Sequence, residues 1–97
     1  MVNEEYLVQQ AVNGNQAAFT ELYDRNFDKI YRYVYVKVRN RDEAEDLTQD
    51  VFIKALEAIG SYKWRDLPFA AWLFRIAHNR IIDHMRKISK EKRASLD

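Results

Sequence analysis

Two glycines and one proline are all that interrupt this chain of 97 residues. Folds rich in β-structure need a tight turn every few residues, and those turns draw on glycine and proline. Their scarcity leaves long unbroken segments, which point to helices. Hydrophobic residues make up 47% and charged residues 32%, the balance of one folded domain rather than a disordered tail. The expected fold class is all-α, a compact bundle of about four helices.

Residues 3–13 read as a short helix stopped by Gly14, which suits the left-handed position after a helix. Asn15 can cap the next helix. That second helix spans about 16–39, where Phe19, Leu22, Tyr23, Phe27, Ile30, Val34 and Val38 recur at three- and four-residue steps. Asp42 and Glu45 predict a capping box for a third helix over about 43–59, with Ala44, Leu47, Val51, Ala55, Ala58 and Ile59 facing inward. Gly60 and Ser61 close it. After the loop SYKWRDLP, Pro68 suits the first turn of a last helix. Leu73, Phe74, Ala77, Ile81, Met85 and Ile88 form its apolar side, and it is expected to end near 88, before a fraying tail KEKRASLD.

Several function classes lose their footing on composition. No cysteine is present, so neither a disulfide framework nor a thiolate metal site is available. No apolar run approaches the roughly 18 residues that cross a bilayer, and Met1 opens onto Val2-Asn3-Glu4-Glu5, unlike a signal peptide. The expected location is the cytoplasm, without membrane insertion. Neither a nucleophile–base grouping nor a glycine-rich phosphate loop is present, so no catalytic residue is assigned. His78 and His84 lack metal-ligand spacing, and His84 reads as a core or boundary residue. No enzyme activity, metal or cofactor is expected.

Charge is segregated along the chain. Residues 42–57 carry six acids against Lys54, and residues 75–93 carry seven bases against Asp83 and Glu91. A nearly neutral chain therefore presents two opposite charged surfaces. On the third helix, Asp46, Gln49, Asp50 and Glu57 lie opposite the apolar side, with Ile53 among them. That face is either solvated with one exposed apolar side chain or a partner surface anchored by Ile53. On the last helix, Arg75, Asn79, Arg86 and Lys90 share a stripe with Trp72 at its upstream end. Such a stripe is either an ordinary basic face or one that follows nucleic-acid phosphates. Asp83 is expected to pair with Arg80 or Lys87, one turn away.

Between these helices, Tyr62, Trp64 and Phe69 lie close to Trp72, and Lys63 and Arg65 flank Trp64. Aromatic rings beside bases are the ingredients for holding unstacked nucleobases, at about 1–3 kcal/mol per base. A base enters a protein pocket only when it is not paired, which implies single-stranded or flipped nucleotides. Alternatively the rings pin the loop onto the bundle, a reading that fits Phe69 and Trp72 better than Trp64.

The stretches AFTELYDRNFDKIYRYVY, DEAEDLTQDVFIKALEAI and FAAWLFRIAHNRIIDHMRK, in that order, resemble region 2 of the extracytoplasmic-function sigma factors of bacterial RNA polymerase. The similarity runs over roughly residues 4–90. It implies that Asp46, Gln49, Asp50 and Ile53 dock on the clamp helices of the polymerase β′ subunit. It also implies that Ser61, Tyr62, Lys63, Trp64, Arg65 and Phe69, with Trp72, capture flipped bases of the non-template strand in the minus-ten promoter element. Arg75, Asn79, Arg80 and Arg86 would then hold the strand or the adjoining duplex. By the same resemblance, an anti-sigma factor is an expected partner. The region would occupy 1–90, and 91–97 would begin a linker toward a second DNA-binding domain absent from this chain. The loop YKWRDLPF departs from the Phe-Arg-Gly-Glu-Ser stretch common in the family, so the resemblance does not extend to a promoter sequence. A helical protein-interaction module and a general single-strand binder are the alternatives, separated by the salt dependence and sequence preference of DNA binding.

Overall fold

The structure, a computed structural model, describes residues 3–64 and 66–96, Leu96 by its backbone alone. Its helices are α1 (Glu4–Val12), α2 (Gln16–Val38), α3 (Arg41–Ala58) and α4 (Phe69–Leu96), with a 3-10 turn at Ile59–Ser61. No strand occurs among the described residues. The expected all-α bundle of four helices is what the chain forms.

Local chemistry sets the helix ends. Asn3 and Asn15 accept from the Tyr6 and Ala18 amides at 2.8 and 3.0 Å, capping α1 and α2. Gly14 takes φ 94°, and the Asn15 amide then donates to the Gln10 carbonyl at 2.9 Å, tying off α1. The expected capping box at Asp42 and Glu45 does not form. Asn40 caps α3 instead, its side chain accepting from the Glu43 amide at 2.9 Å. Arg39 makes this possible by taking the left-handed conformation at φ 57°, ψ 28°, which ends α2 and turns the chain within two residues. At the start of α4, the Trp72 amide donates to the Pro68 carbonyl at 3.0 Å.

α2 packs on α1 and α3, and α4 closes over α3 and α2. The core holds Leu22, Ile30 and Val34 from α2, Ala44, Val51 and Ala55 from α3, and Leu73 and Ala77 from α4. Among the described residues the buried polar side chains are Asn26 and Thr48, which donate to the Leu22 and Ala44 carbonyls one turn back, at 2.8 and 2.7 Å.

Three core expectations are corrected. Ala58 is exposed, because α3 gives way to the 3-10 turn just where it would have met the bundle. Met85 is 39% exposed, and Ile81 is the last buried residue of α4. α4 also runs on to Leu96 instead of ending near 88. Its 28 residues span about 42 Å, so its basic C-terminal part projects beyond the helices that could cover it.

Candidate nucleic-acid and docking interface

The seam between α3 and α4 carries two adjoining grooves. The first, of about 420 Å³, is lined by Glu43, Asp46, Leu47, Gln49, Asp50 and Ile53 of α3 and by Arg80 and His84 of α4. It brings together all four residues expected to dock on polymerase. Ile53 is 57% exposed at its edge, and Leu56, one turn on, is 51% exposed. An acidic groove with an uncovered apolar rim suits a basic helical partner with its own apolar side chains.

Two contacts cross this groove. Arg80 donates from Nη2 and Nε to one oxygen of Asp50, at 3.0 and 3.2 Å. The expected pairing of Asp83 with Arg80 is thus replaced by a contact between helices. Deeper in the seam, His84 Nε2 lies 3.6 Å from Glu43 Oε2, and its side chain is largely buried, a boundary position as expected. That separation exceeds hydrogen-bond length.

The second groove, of about 310 Å³, is lined by Lys54 and Ala58 of α3 and by Trp72, Arg75, Ile76, Asn79, Arg80 and Asp83 of α4. Four residues expected to hold DNA meet here: the buried Trp72, with Arg75, Asn79 and Arg80. Arg86 is exposed beyond both grooves, on the projecting part of α4.

The loop between α3 and α4 departs from the expected row of presented rings. Tyr62, Phe69 and Trp72 are buried, their ring centroids 4.8–5.7 Å apart in a three-way cluster. Buried against one another, they shape the loop and do not stand open to a base. The Tyr62 hydroxyl donates to the Leu67 carbonyl, fastening the two ends of the loop. Burial of the phenol, and after it the negative charge of Glu4, pushes its pKa above the ordinary value.

Trp64 is half-buried, closer to the core than its charged neighbours suggest. It lines a groove of about 350 Å³ with Tyr62 and with Val8, Gln9, Val12 and Asn13 of α1. Ser61 and Lys63 are exposed, and the Ser61 hydroxyl donates to the Ala58 carbonyl at 2.8 Å. Arg65 lies outside the described residues. Sequence reasoning missed two participants. Leu56 could have been found from its three-residue spacing to Ile53, whereas the approach of α1 to Trp64 leaves no local signal.

Two neighbouring grooves thus share one seam, one acidic with an apolar rim and one basic with Trp72 in its lining. No group of three potential metal ligands occurs among the described residues. No described helix is long and apolar enough to cross a membrane. The chain belongs to the Sigma-70 region 2 family, which its residues 22–91 match, and it is an extracytoplasmic-function type of region 2 domain.

It is 42% identical over 80 residues to the extracytoplasmic-function RNA polymerase sigma factor BldN of Streptomyces coelicolor, covering 82% of this chain and 30% of BldN. It is 41% identical over 80 residues to SigW of Bacillus subtilis, covering 82% and 42%. The chain therefore spans less than half the length of these relatives. An engineered region 2 of sigmaE in complex with GTAAAA superposes with a TM-score of 0.85 at 29% identity, over 93% of both chains. BldN in its complex with RsbN superposes with a TM-score of 0.76 at 41% identity, over 82% of this chain and 58% of that one.

Proposed function

We propose that this domain docks on core RNA polymerase through the acidic α3–α4 groove and recognises and melts the minus-ten promoter element through the basic one. Asp46, Gln49, Asp50 and Ile53 are the docking residues, and the clamp helices of β′ are the partner. The observation that carries this reading is the placement of Arg80, which lines both grooves. Protein docking and strand binding are thereby adjacent on one seam. Promoter binding is further supported by the fold shared with a sigmaE region 2 held in complex with GTAAAA.

Strand capture uses Trp64, Ser61, Lys63 and Arg65 at the loop and Arg75, Asn79 and Arg80 on α4, with Arg86 reaching the upstream backbone. Tyr62, Phe69 and Trp72 hold the loop in shape, Trp72 also lending its edge to the groove. The domain does no covalent chemistry. Bases held flipped shift the duplex toward the open form only through their preference for that form. Residues 1–90 act as the region itself, and 91–97 begin a linker toward a second DNA-binding domain. A protein regulator of the anti-sigma type is a further partner, in line with the BldN–RsbN assembly of a relative. The expected place of action is the cytoplasm.

Binding to purified core polymerase tests the reading, with wild type beside Ile53→Asp. Saturable binding that the variant loses, with helix content unchanged, supports the docking face. Equal affinity of the two proteins would sink it.

A further inference from the structure

The C-terminal half of α2 and the turn after it carry a charge pattern that neither groove uses. From residue 29 to residue 41 the chain holds Lys29, Arg32, Lys37, Arg39 and Arg41 and no acid, while Tyr31, Tyr33 and Tyr35 alternate between them. All five basic residues are exposed. Among the described residues, none of the five takes part in an ion pair. The helix dipole favours bases near a C-terminus, which accounts for Lys37 in the last turn. It does not account for Lys29 and Arg32, about 2.5 and 1.7 turns from the end.

The aromatic side chains on this face are arranged outward. Starting at Phe52 of α3, the rings of Phe27, Tyr31 and Tyr35 follow one another at centroid distances of 6.2, 6.2 and 6.1 Å, each nearly parallel to the last. The row ends at Tyr35, which is 41% exposed. Arg32 precedes Tyr35 by three positions and Arg39 follows by four, so both flank it on the helix surface. Toward α4, Lys37 lies over the Tyr33 ring at 5.8 Å from its centroid. The Tyr33 hydroxyl is 3.4 Å from His78 Nδ1, and its ring meets Phe74 edge-on at 5.3 Å. His78 adjoins Asn79 and lies three positions from Arg75, so the α2 face runs on into the strand-binding face of α4.

Arg39 adds an independent sign. It occupies a left-handed conformation, where glycine is free of strain and a side chain is not. A charged side chain thus stands at this turn against the local backbone preference.

We infer that the exposed face of α2 is a second nucleic-acid surface, on which Lys29, Arg32, Lys37 and Arg39 hold the phosphates of single-stranded DNA leaving α4 and Tyr35 stacks on one of its bases. This extends the promoter-binding reading and rests on it for the direction of the strand. Exposed basic side chains around an exposed ring are the combination that binds single strands without sequence preference.

The test uses the full chain and two fluorescent single strands of about 6 and about 16 nucleotides, bracketing common site sizes. The longer one extends the same minus-ten segment with thymidines. Wild type is expected to bind the longer strand more tightly and with a steeper salt dependence. A Lys29→Gln, Arg32→Gln, Arg39→Gly variant is expected to bind the short strand as wild type does and to lose the gain from length. With three phosphate contacts at about 0.7 each, its log–log salt slope on the longer strand falls by about 2. Tyr35→Ala is expected to weaken the longer complex with its salt slope unchanged. Arg39→Gly alone should weaken it without lowering Tm.

No gain from length in wild type, or an unchanged slope in the triple variant, overturns the inference. Equal loss on both strands does so too, since it would place these residues in the α4 site. Competition by polyglutamate as effective as by the oligonucleotide would mark a surface for acidic protein and overturn the nucleic-acid assignment. Arg75→Ala separates this outcome from the promoter reading: if it leaves the short strand's affinity intact, that reading fails while the salt-slope comparison on α2 still decides this one.

Discussion

Arg80 of α4 holds Asp50 of α3 through two donors on one carboxylate oxygen, at 3.0 and 3.2 Å. The two residues belong to different proposed interfaces, so each partner competes with an internal contact. On that proposal, a basic group arriving on Asp50 would release Arg80 toward a phosphate. With side chains 25% and 43% exposed, the pair is worth about 0.2–1 kcal/mol. Asp50→Asn is therefore expected to weaken polymerase docking while raising the free domain's affinity for single-stranded minus-ten DNA by about 1.4- to 5-fold. Fluorescence anisotropy with the isolated domain checks the rise. An affinity that falls would mean that Asp50 positions Arg80 for DNA.

Leu56 carries a second expectation for the same side of α3. It is 51% exposed beside Ile53, itself 57% exposed. Burial of such a rim side chain against a partner contributes about 1–2 kcal/mol, given roughly 25 cal/mol per Å² of apolar area. Leu56→Ser is expected to weaken binding to core polymerase about 5- to 30-fold. Tm is expected to stay within a degree or two, because an exposed side chain adds little to the fold. Unchanged binding would confine the docking surface to the groove lined by Ile53.

Much of this arrangement was legible in the sequence, and what was not has particular physical causes. The apolar steps from Phe19 to Val34 fixed the inner face of α2, since a helix with no breaker must bury such a stripe. The start of α3 was misplaced by two residues because Asn40 and Asp42 are equally good caps in isolation. Arg39 chose between them by turning left-handed, which no propensity favours. The length of α4 was missed because Glu, Lys, Arg and Ala after residue 88 continue a helix readily whether or not anything covers it. Trp64 looked exposed from its charged neighbours, but the covering group, α1, lies more than fifty residues earlier. That Asp46, Gln49, Asp50 and Ile53, the residues proposed to dock, share one groove was legible, since one helix surface carries them all. Their meeting with Arg80 was not, because it depends on how α4 crosses α3.

Capping can be separated at the start of α3. Asn40 accepts the Glu43 amide at 2.9 Å, whereas Asp42 lies within the first turn and caps nothing. Asn40→Ala is expected to cost about 1 kcal/mol. Asp42→Ala should cost only the few tenths that an acid in the first turn contributes through the helix dipole. Urea denaturation of both variants decides this. Equal costs would return the cap to Asp42.

Trp64 should separate binding from folding. Half-buried against α1, it has less to lose than Phe69, which is 1% exposed. Phe69→Ala is expected to cost about 3–5 kcal/mol of stability. Trp64→Ala is expected to cost less than half of that, while reducing affinity for single-stranded minus-ten DNA by about 1–3 kcal/mol, or about 5- to 150-fold. A stability loss equal to that of Phe69→Ala with DNA affinity unchanged would make Trp64 a packing residue alone.

Tyr62 gives the fold an alkaline limit. Its phenol is raised above 10.0, chiefly by burial and then by the charge of Glu4. Being raised in the folded state, it contributes stability that is fully present below the unfolded value of 10.0 and is lost as pH climbs from there through the folded value. Tyr62→Phe removes both the titration and the hydrogen bond to Leu67, at about 1 kcal/mol near neutral pH. Wild type should therefore exceed the variant by that margin at about pH 8, and the margin should shrink as pH rises past about 10, by at most about 1.4 kcal/mol per pH unit. Chemical denaturation of both proteins across that range measures it. A margin that stays constant would show that the phenol ionises as readily in the bundle as in the unfolded chain, and that the loop is open around it.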